Sequence, residues 1–346
     1  METLQIRDIK DNQTVDGTYL VREMTRGETR TGNPFLSLTV MDSSGEIGGR
    51  VWENAERLAE QCPAGSFIRL KALAQSYKGT LQLRIDHLEQ IEVPEKELGR
   101  FLPSTPGDID VMGAELIRLA KGIEDQDYRN LAMAFLGDSK ILKSLKKAPA
   151  AKAMHHAYFG GLLEHTLGVA RLAKNVAELY PAIDRSLLLT GAILHDIGKL
   201  IEFSYDTFPY DYSDQGRLVG HMVLGIEMLQ EKGRALPHFP GEKMTHLKHL
   251  ILSHHGRHEF GSPSLPMMLE AFVLNFLDDL DAKINYIRDL GRKTGGEGYR
   301  WTDYQRNLER FLYVQGEQND DVDNGNGRQN QAENEIDPRQ RNLWLK

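Results

Sequence analysis

The sequence predicts a two-domain chain, an all-β barrel at the N-terminus followed by an all-α bundle. Three observations predict it. Apolar residues recur with a period of two up to Val93, and with spacings of three and four beyond Asp110. Between the two regimes lies Phe101-Leu-Pro-Ser-Thr-Pro-Gly, a joint rich in chain-breaking residues.

The β region holds five short runs: Thr18-Tyr-Leu-Val, Phe35-Leu-Ser-Leu-Thr-Val, Glu46-Ile-Gly-Gly-Arg-Val-Trp, Phe67-Ile-Arg-Leu-Lys-Ala-Leu and Leu81-Gln-Leu-Arg-Ile. Gly-Asn-Pro, Ser-Ser-Gly and Lys-Gly-Thr punctuate them as turns. A helix-like stretch, residues 54–61, separates the third run from the fourth. Five strands with a helix at that place is the order of an OB-fold, a small barrel that commonly binds single-stranded nucleic acid. An SH3-like barrel or a plain sandwich has a similar strand count. In the second region Leu116, Leu119, Ala120 and Ile123, then Leu163, Leu167, Ala170 and Val176, follow helical spacing, and the pattern reads as helical from Asp110 to about Val314. After Val314 the composition turns to Asn, Gln, Asp, Glu and Gly, which bury too little apolar surface to order a chain. Residues 315–346 are therefore expected to be a disordered polar tail.

With 346 residues, 40% hydrophobic and 27% charged, the chain suits two globular domains. Its one cysteine, Cys62, excludes an internal disulfide and fits a reducing compartment. The N-terminus lacks the pattern of a signal peptide, and no run approaches the roughly 20 apolar residues of a membrane helix. A cytoplasmic protein without a membrane partner is expected. The net charge of −8 does not advertise a nucleic-acid binder, but binding follows local clusters. Lys140, Lys143, Lys146, Lys147 and Lys152 fall in a stretch free of acidic residues between Asp138 and Glu164, a pattern that a solvated helix face would also give.

The helical region carries His165, His195-Asp196, His221, His254-His255 and Asp278, each on or at the end of an expected helix. Imidazoles and carboxylates hold borderline and hard divalent cations without thiolates, and separate helices of a bundle can bring them to one place. A lone histidine is more often structural, and His87, His238, His246, His249 and His258 take that reading. His195-Asp196 differs. An adjacent His-Asp at the end of an apolar helix is costly to desolvate unless each side chain has a partner, and Ile-Gly-Lys then turns the chain sharply out of the helix.

The ordered set His, His-Asp, His, His, Asp resembles the HD-domain signature, with His195-Asp-Ile-Gly-Lys in a form common to that superfamily. More narrowly, Pro149-Ala-Ala-Lys, His155-His-Ala-Tyr-Phe-Gly-Gly-Leu-Leu-Glu-His-Thr-Leu, Leu252-Ser-His-His-Gly, Glu259-Phe-Gly-Ser-Pro and Asp278-Asp-Leu-Asp-Ala-Lys resemble the YhaM family. Those proteins are 3′-to-5′ exoribonucleases with an N-terminal OB-fold and a C-terminal HD domain. The resemblance implies an OB-fold over 1–98, a linker and leading helices over 99–150, and an HD metal-dependent phosphohydrolase domain over 151–314. It also implies assembly into a homo-oligomer.

Carried onto this sequence, the resemblance implies that His165, His195, Asp196 and Asp278 hold one divalent metal. His221 and His254 would complete a second site with Asp196 bridging. His255 competes with His254, and Asp281 reads either as a supporting carboxylate or as a helix-face residue. Manganese is the first choice, and cobalt, iron, nickel and zinc suit the same donors. Two such metals would activate a water for attack on the terminal phosphodiester of single-stranded RNA, or of single-stranded DNA, releasing nucleoside monophosphates. Lys199 would neutralise phosphoryl charge, and His155 or His156 would contact phosphate or protonate the leaving oxygen, unless they are solvent-exposed helix-entry residues. Phe35, Trp52 and Tyr77 are the candidates for base stacking, with Arg22, Arg26 and Arg30 around the first hairpin and Lys146 and Lys147 extending the path. Phe35 and Trp52 suit the barrel core equally well. The alternative is an HD phosphohydrolase of free nucleotides or cyclic dinucleotides. An OB-fold has no evident use there, and Glu259-Phe-Gly-Ser-Pro departs from the Gly-Tyr-Pro motif of cyclic-dinucleotide hydrolases.

Overall fold

The computed structural model describes residues 4–29, 32–53, 55–77, 79–151, 156–204, 210–294 and 296–316. The chain forms two compact units, Met1–Tyr286 and Ile287–Lys346. Five strands open the first unit: β1 (Thr14–Glu28), β2 (Pro34–Asp42), β3 (Gly45–Val51), β4 (Phe67–Tyr77) and β5 (Thr80–Ile91), with helix α1 (Ala55–Gln61) between β3 and β4. They close into a barrel in the order β1-β2-β3-β5-β4. Every pairing is antiparallel except β3 with β5. This is the OB-fold expected from the strand order.

Alternation decides what each strand buries. Val15, Tyr19 and Val21 of β1 point into the barrel beside Leu36, Leu38, Ile68, Leu70 and Leu83. Leu20 points the other way, yet it is fully buried, because Met41, Phe101, Leu102 and Tyr210 cover it. The Pro/Gly-rich joint is thus packed between barrel and helical region. At Gly49 an added Cβ would lie 2.7 Å from Ile85 Cδ1, so glycine permits the close β3–β5 approach that closes the barrel.

The helical region begins with α2 (Ile109–Lys121), α3 (Gln126–Leu136) and α4 (Ser139–Leu145). Asp108, Asp125 and Asp138 cap them, each carboxylate accepting from two backbone N–H groups of the first turn. Next come α5 (Gly161–Leu179) and α6 (Arg185–Leu194), then the short α7 (Lys199–Glu202). A two-stranded pair, β6 (Phe203–Ser204) with β7 (Asp211–Tyr212), precedes α8 (Asp214–Val219), α9 (His221–Ala235), α10 (Gly241–Ser253) and α11 (Leu269–Thr294). Leu116, Leu131, Phe135, Leu163, Leu188, Leu250 and Leu274 are fully buried in one core, each such side chain contributing about 1.5–3 kcal/mol by leaving water. Helix α6 is buried from Ser186 to Leu194. A helix apolar on every side can only be central, and this one delivers His195-Asp196 into the middle of the bundle.

The second unit departs from the expected continuous helix. Beyond α11 the chain forms a hairpin of β8 (Tyr299–Trp301) and β9 (Tyr313–Gln315). Val314, expected to end a helical pattern, is a buried strand residue, and strand structure reaches Gln315, one residue into the expected tail. Alternating Tyr299, Trp301 and Tyr313, Gln315 is a period-two signal too short to outweigh the helical spacing before it. The rest of the expected tail, residues 317–346, lies outside the described residues. No helix among the described residues is long and apolar enough to cross a membrane.

Candidate functional site

Five helices converge on Asp196. Its Oδ2 lies 3.5 Å from His165 Nε2 of α5 and 3.4 Å from His195 Nε2 at the end of α6. Asp278 Oδ1 of α11 joins them, 3.1 Å from His165 Nε2 and 3.8 Å from His195 Nε2. The other oxygen, Oδ1, lies 3.6 Å from His221 Nε2 at the head of α9 and 3.6 Å from His254 Nε2 at the end of α10. His255 stands with His221 and His254, one ring nitrogen from each lying within 4.8 Å of the others. The structure therefore brings together all six metal-ligand candidates, His165, His195, Asp196, His221, His254 and Asp278, and adds His255. His254 and His255 both stand beside His221.

Each of these histidines has its other nitrogen engaged. His165 Nδ1 lies 2.8 Å from Asp281 Oδ2, His195 Nδ1 2.9 Å from the Ala192 carbonyl, and His254 Nδ1 2.7 Å from the Ile251 carbonyl. His255 Nδ1 lies 2.9 Å from the Phe260 carbonyl, and His221 Nδ1 3.0 Å from Glu202 Oε1. With Nδ1 engaged, each Nε2 is turned toward the centre, the arrangement in which neutral imidazoles bind cations. Asp281 is thus a supporting carboxylate and not a helix-face residue. Glu202, which the sequence reading missed, also accepts from the His221 backbone N–H at 3.0 Å. No local pattern marks it, since its partner lies 19 residues along the chain.

Glycines set this geometry. In the turn after α6, Gly198 has a right-handed backbone, with φ −65°. A Cβ there would sit 1.9 Å from the His221 carbonyl oxygen, so glycine lets the turn after Asp196 touch the head of α9. A Cβ on Gly168 of α5 would sit 2.3 Å from Asp281 Oδ1, so that glycine admits the carboxylate behind His165.

Asp196 Oδ1, His221 Nε2 and His254 Nε2 are buried without a hydrogen-bond partner. Three orphaned polar atoms turned toward one point are costly unless a cation completes them, and the donor set of imidazoles and carboxylates fits a divalent metal.

The barrel presents a second feature. Phe35 of β2 and Trp52, just beyond β3, lie outside the barrel core with ring centroids 5.2 Å apart. The Arg50 guanidinium lies over both, 5.4 Å and 5.9 Å from their centroids. Leu36 and Val51 point inward, so Phe35, Arg50 and Trp52 share the outer face. Trp52 is 46% exposed. Gly27 pairs with Phe35, and a Cβ there would lie 2.5 Å from Phe35 Cζ, so glycine makes room for the ring. Arg50 was missed by sequence reading, although its place two before Trp52 puts both on one strand face.

The HD-domain family model matches residues 162–283, and the OB-fold nucleic acid binding domain model matches residues 19–91. The 3′-5′ exoribonuclease YhaM of Listeria monocytogenes is 33% identical over 282 residues, which cover 81% of this chain and 89% of that protein. The same protein of Listeria innocua matches to the same extent. The chain belongs to the YhaM family. Among solved structures, the second OB-fold domain of replication protein A from Methanococcus maripaludis is similar at 18% identity, covering 27% of this chain and 98% of that domain with a TM-score of 0.22.

The electrostatics of this YhaM-family centre are those of a site short of positive charge. Burial opposes protonation of His165, but Asp278 and Asp281 override it and push its pKa up to about 10. Burial works against the Asp196 carboxylate, yet Lys199 and His195 hold it well below the ordinary range. Burial pulls His255 down to about 4, with His254 adding to the effect, so it stays neutral.

The remaining site candidates of this YhaM-family chain separate into groups. Lys199 is buried, and its Nζ donates to Asp196 Oδ2 at 2.7 Å. His156 is buried too, not a solvent-exposed helix-entry residue. Its Nε2 is 3.7 Å from Asp281 Oδ2, its backbone N–H donates to Asn285 Oδ1 at 2.9 Å, and its φ is +48°. His155, Lys152 and Arg30 lie outside the described residues. Lys146 donates to Asp110 at 2.6 Å, and Lys147 is half-buried beside it. Arg22 is paired with Glu46. Arg26 is exposed opposite Leu36, which alternates away from the Phe35 face. Tyr77 is 52% exposed at the end of β4.

Proposed function

We propose that this chain is a 3′-to-5′ exoribonuclease that grips single-stranded RNA on the barrel and hydrolyses its terminal phosphodiester at a two-cation centre. Asp196 carries the reading: its two carboxylate oxygens face two separate sets of histidines. The first set is His165 and His195 with Asp278, and the second is His221, His254 and His255. Bound divalent cations, manganese first among those suited to these donors, would supply Lewis-acid polarisation of the phosphoryl group and activation of a water.

The chain's own residues do the rest. Asp281 and Glu202 orient one histidine of each set, and Lys199 holds Oδ2 of Asp196 against rotation. Lys199 is therefore assigned to orienting Asp196 as much as to phosphoryl charge, and His156 to supporting Asp281. On the barrel, Phe35 and Trp52 offer ring faces to bases while Arg50 meets phosphate, and Tyr77, at the far end of β4, is a separate exposed ring. Residues 1–98 hold the strand and 151–314 cleave it. A cytoplasmic location fits the single buried thiol of Cys62. We also infer self-association through the exposed stripe Leu269, Phe272, Phe276, Leu280 and Ile284, whose spacing leaves one apolar face of α11 open. A monomeric mass in sedimentation would remove that last inference.

The test uses metal-stripped protein and 5′-labelled single-stranded RNA, with and without manganese, resolved on a gel. A ladder shortening from the 3′ end only with metal supports the reading, and a DNA strand run alongside sets the sugar preference. Intact RNA in both lanes would replace it with hydrolysis of a free nucleotide or cyclic dinucleotide, to be sought with a nucleotide panel.

A further inference from the structure

The hairpin of the second unit carries chemistry that the centre around Asp196 does not use. In its register Trp301 pairs with Tyr313, and Tyr299 pairs with Gln315. Side chains alternate across a strand, so Tyr299, Trp301 and Tyr313 project from one face while Val314 is buried on the other. The three rings form a row. Tyr313 lies 5.3 Å from Tyr299 at an interplanar angle of 29°, and 5.0 Å from Trp301 at 38°. All three are more than half exposed, at 58%, 65% and 57% for Tyr299, Trp301 and Tyr313. Tyr304 and Phe311 form a further exposed pair nearer the turn, with centroids 5.3 Å apart.

Large rings left open to water on a small sheet mark a binding surface. Their type indicates the occupant. Nucleobases stack on such rings without regard to sequence, since every base has a π-face. Charge permits this occupant: residues 296–316 hold three arginines against three acidic residues, in a chain whose net charge is −8. Arg300, Arg306 and Arg310 of the hairpin are exposed, Arg300 on the face opposite the rings.

We propose that the Tyr299–Trp301–Tyr313 face is a second single-strand nucleic-acid platform, on which consecutive bases stack while Arg306 and Arg310 meet the backbone. The proposal rests on the exoribonuclease reading for its choice of ligand, but its test does not require cleavage.

The binding of a labelled 30-nucleotide oligouridylate to the full chain is followed by anisotropy in the presence of a chelator, which stops hydrolysis. Replacing both Trp301 and Tyr313 with alanine is expected to weaken binding about tenfold or more, while the Trp301→Phe/Tyr313→Phe chain stays close to the parent. An unchanged Kd in the alanine chain overturns the proposal. So does a fall in the mass of that chain by light scattering, which would assign the face to a second copy of the protein. A second measurement leaves the hairpin intact. The chain has three tryptophans, Trp52, Trp301 and Trp344. With Trp52 and Trp344 changed to phenylalanine, Trp301 emission is expected to be quenched by the oligouridylate, and unquenched emission at saturation overturns the proposal. Intact RNA in the gel assay alongside a quenched Trp301 would sink the exoribonuclease reading and leave the platform standing.

Discussion

Asp281 Oδ2 lies 2.8 Å from His165 Nδ1, and the same oxygen lies 3.7 Å from His156 Nε2. One carboxylate thus stands behind a centre histidine and beside a second, buried histidine, in a space that Gly168 keeps clear. Replacing Asp281 with asparagine keeps the shape and removes the charge. Manganese affinity, measured calorimetrically, is expected to fall about 10- to 100-fold. Gly168→Ala, which pushes the same carboxylate away, is expected to fall in the same direction. Unchanged affinity in both would show that Asp281 plays no part in orienting His165.

Asp196 serves both histidine sets, so it is the residue whose loss the centre tolerates least. The Asp196→Asn chain is expected to lose hydrolysis and to bind less metal by elemental analysis, while its affinity for a single strand is retained. Full turnover in a metal-loaded Asp196→Asn chain would overturn the assignment.

His254 and His255 illustrate where sequence reading stops. Neighbours on an α-helix diverge by roughly 100°, which makes a choice between them look necessary. The chain leaves α10 at Ser253, however, and Gly256 at φ +74° turns it, so both rings face His221. Either substitution, His254→Ala or His255→Ala, is expected to lower metal content at the His221 side and leave the His165 side loaded, as read by metal titration. A loss confined to His254→Ala would restore the single-ligand choice.

The centre was legible because polar ligands interrupt apolar helices, and the barrel because its strands alternate cleanly. What escaped depends on tertiary approach. Glu202 meets His221 only because Gly198 lets two turns touch. The β8–β9 pair is three residues long on each side and follows a 26-residue helix, so its period-two signal is swamped. The lysines before His155 looked like a basic path, yet Lys146 is paired with Asp110, a partner 36 residues away that no local pattern announces.

Asp125 offers a test of the scaffold independent of the centre. Its carboxylate caps α3 through the Asp127 and Tyr128 N–H groups and receives the Lys243 ammonium. Partial burial works against its ionisation, but Lys243 and the cap hydrogen bonds outweigh that and hold its pKa below the usual range. A depressed folded pKa stabilises above the unfolded value near about 4, and the contribution is lost as pH falls through the folded value. Asp125→Ala is expected to cost about 1 kcal/mol at neutral pH, and the gap to the parent should close on acidification. A gap that stays constant down to the acid transition would mean that the ionised carboxylate is not what caps α3.

Arg50 and Trp52 separate the two ways in which the barrel would hold a strand. Trp52 offers a ring face, and stacking is worth about 1–3 kcal/mol per base, so Trp52→Ala is expected to weaken single-strand binding about 5- to 150-fold at every salt concentration. Trp52→Phe keeps a ring and should recover most of that loss. Arg50 contributes charge, so Arg50→Ala is expected to reduce the slope of log affinity against log salt by about one contact and to matter least at high salt. Titrations of all three chains with one oligouridylate from low to high salt give both quantities. If Trp52→Ala changes the slope and Arg50→Ala does not, the roles are exchanged. If neither moves affinity, the strand lies elsewhere on the barrel and the Phe35–Trp52 pair serves only to cover Gly27.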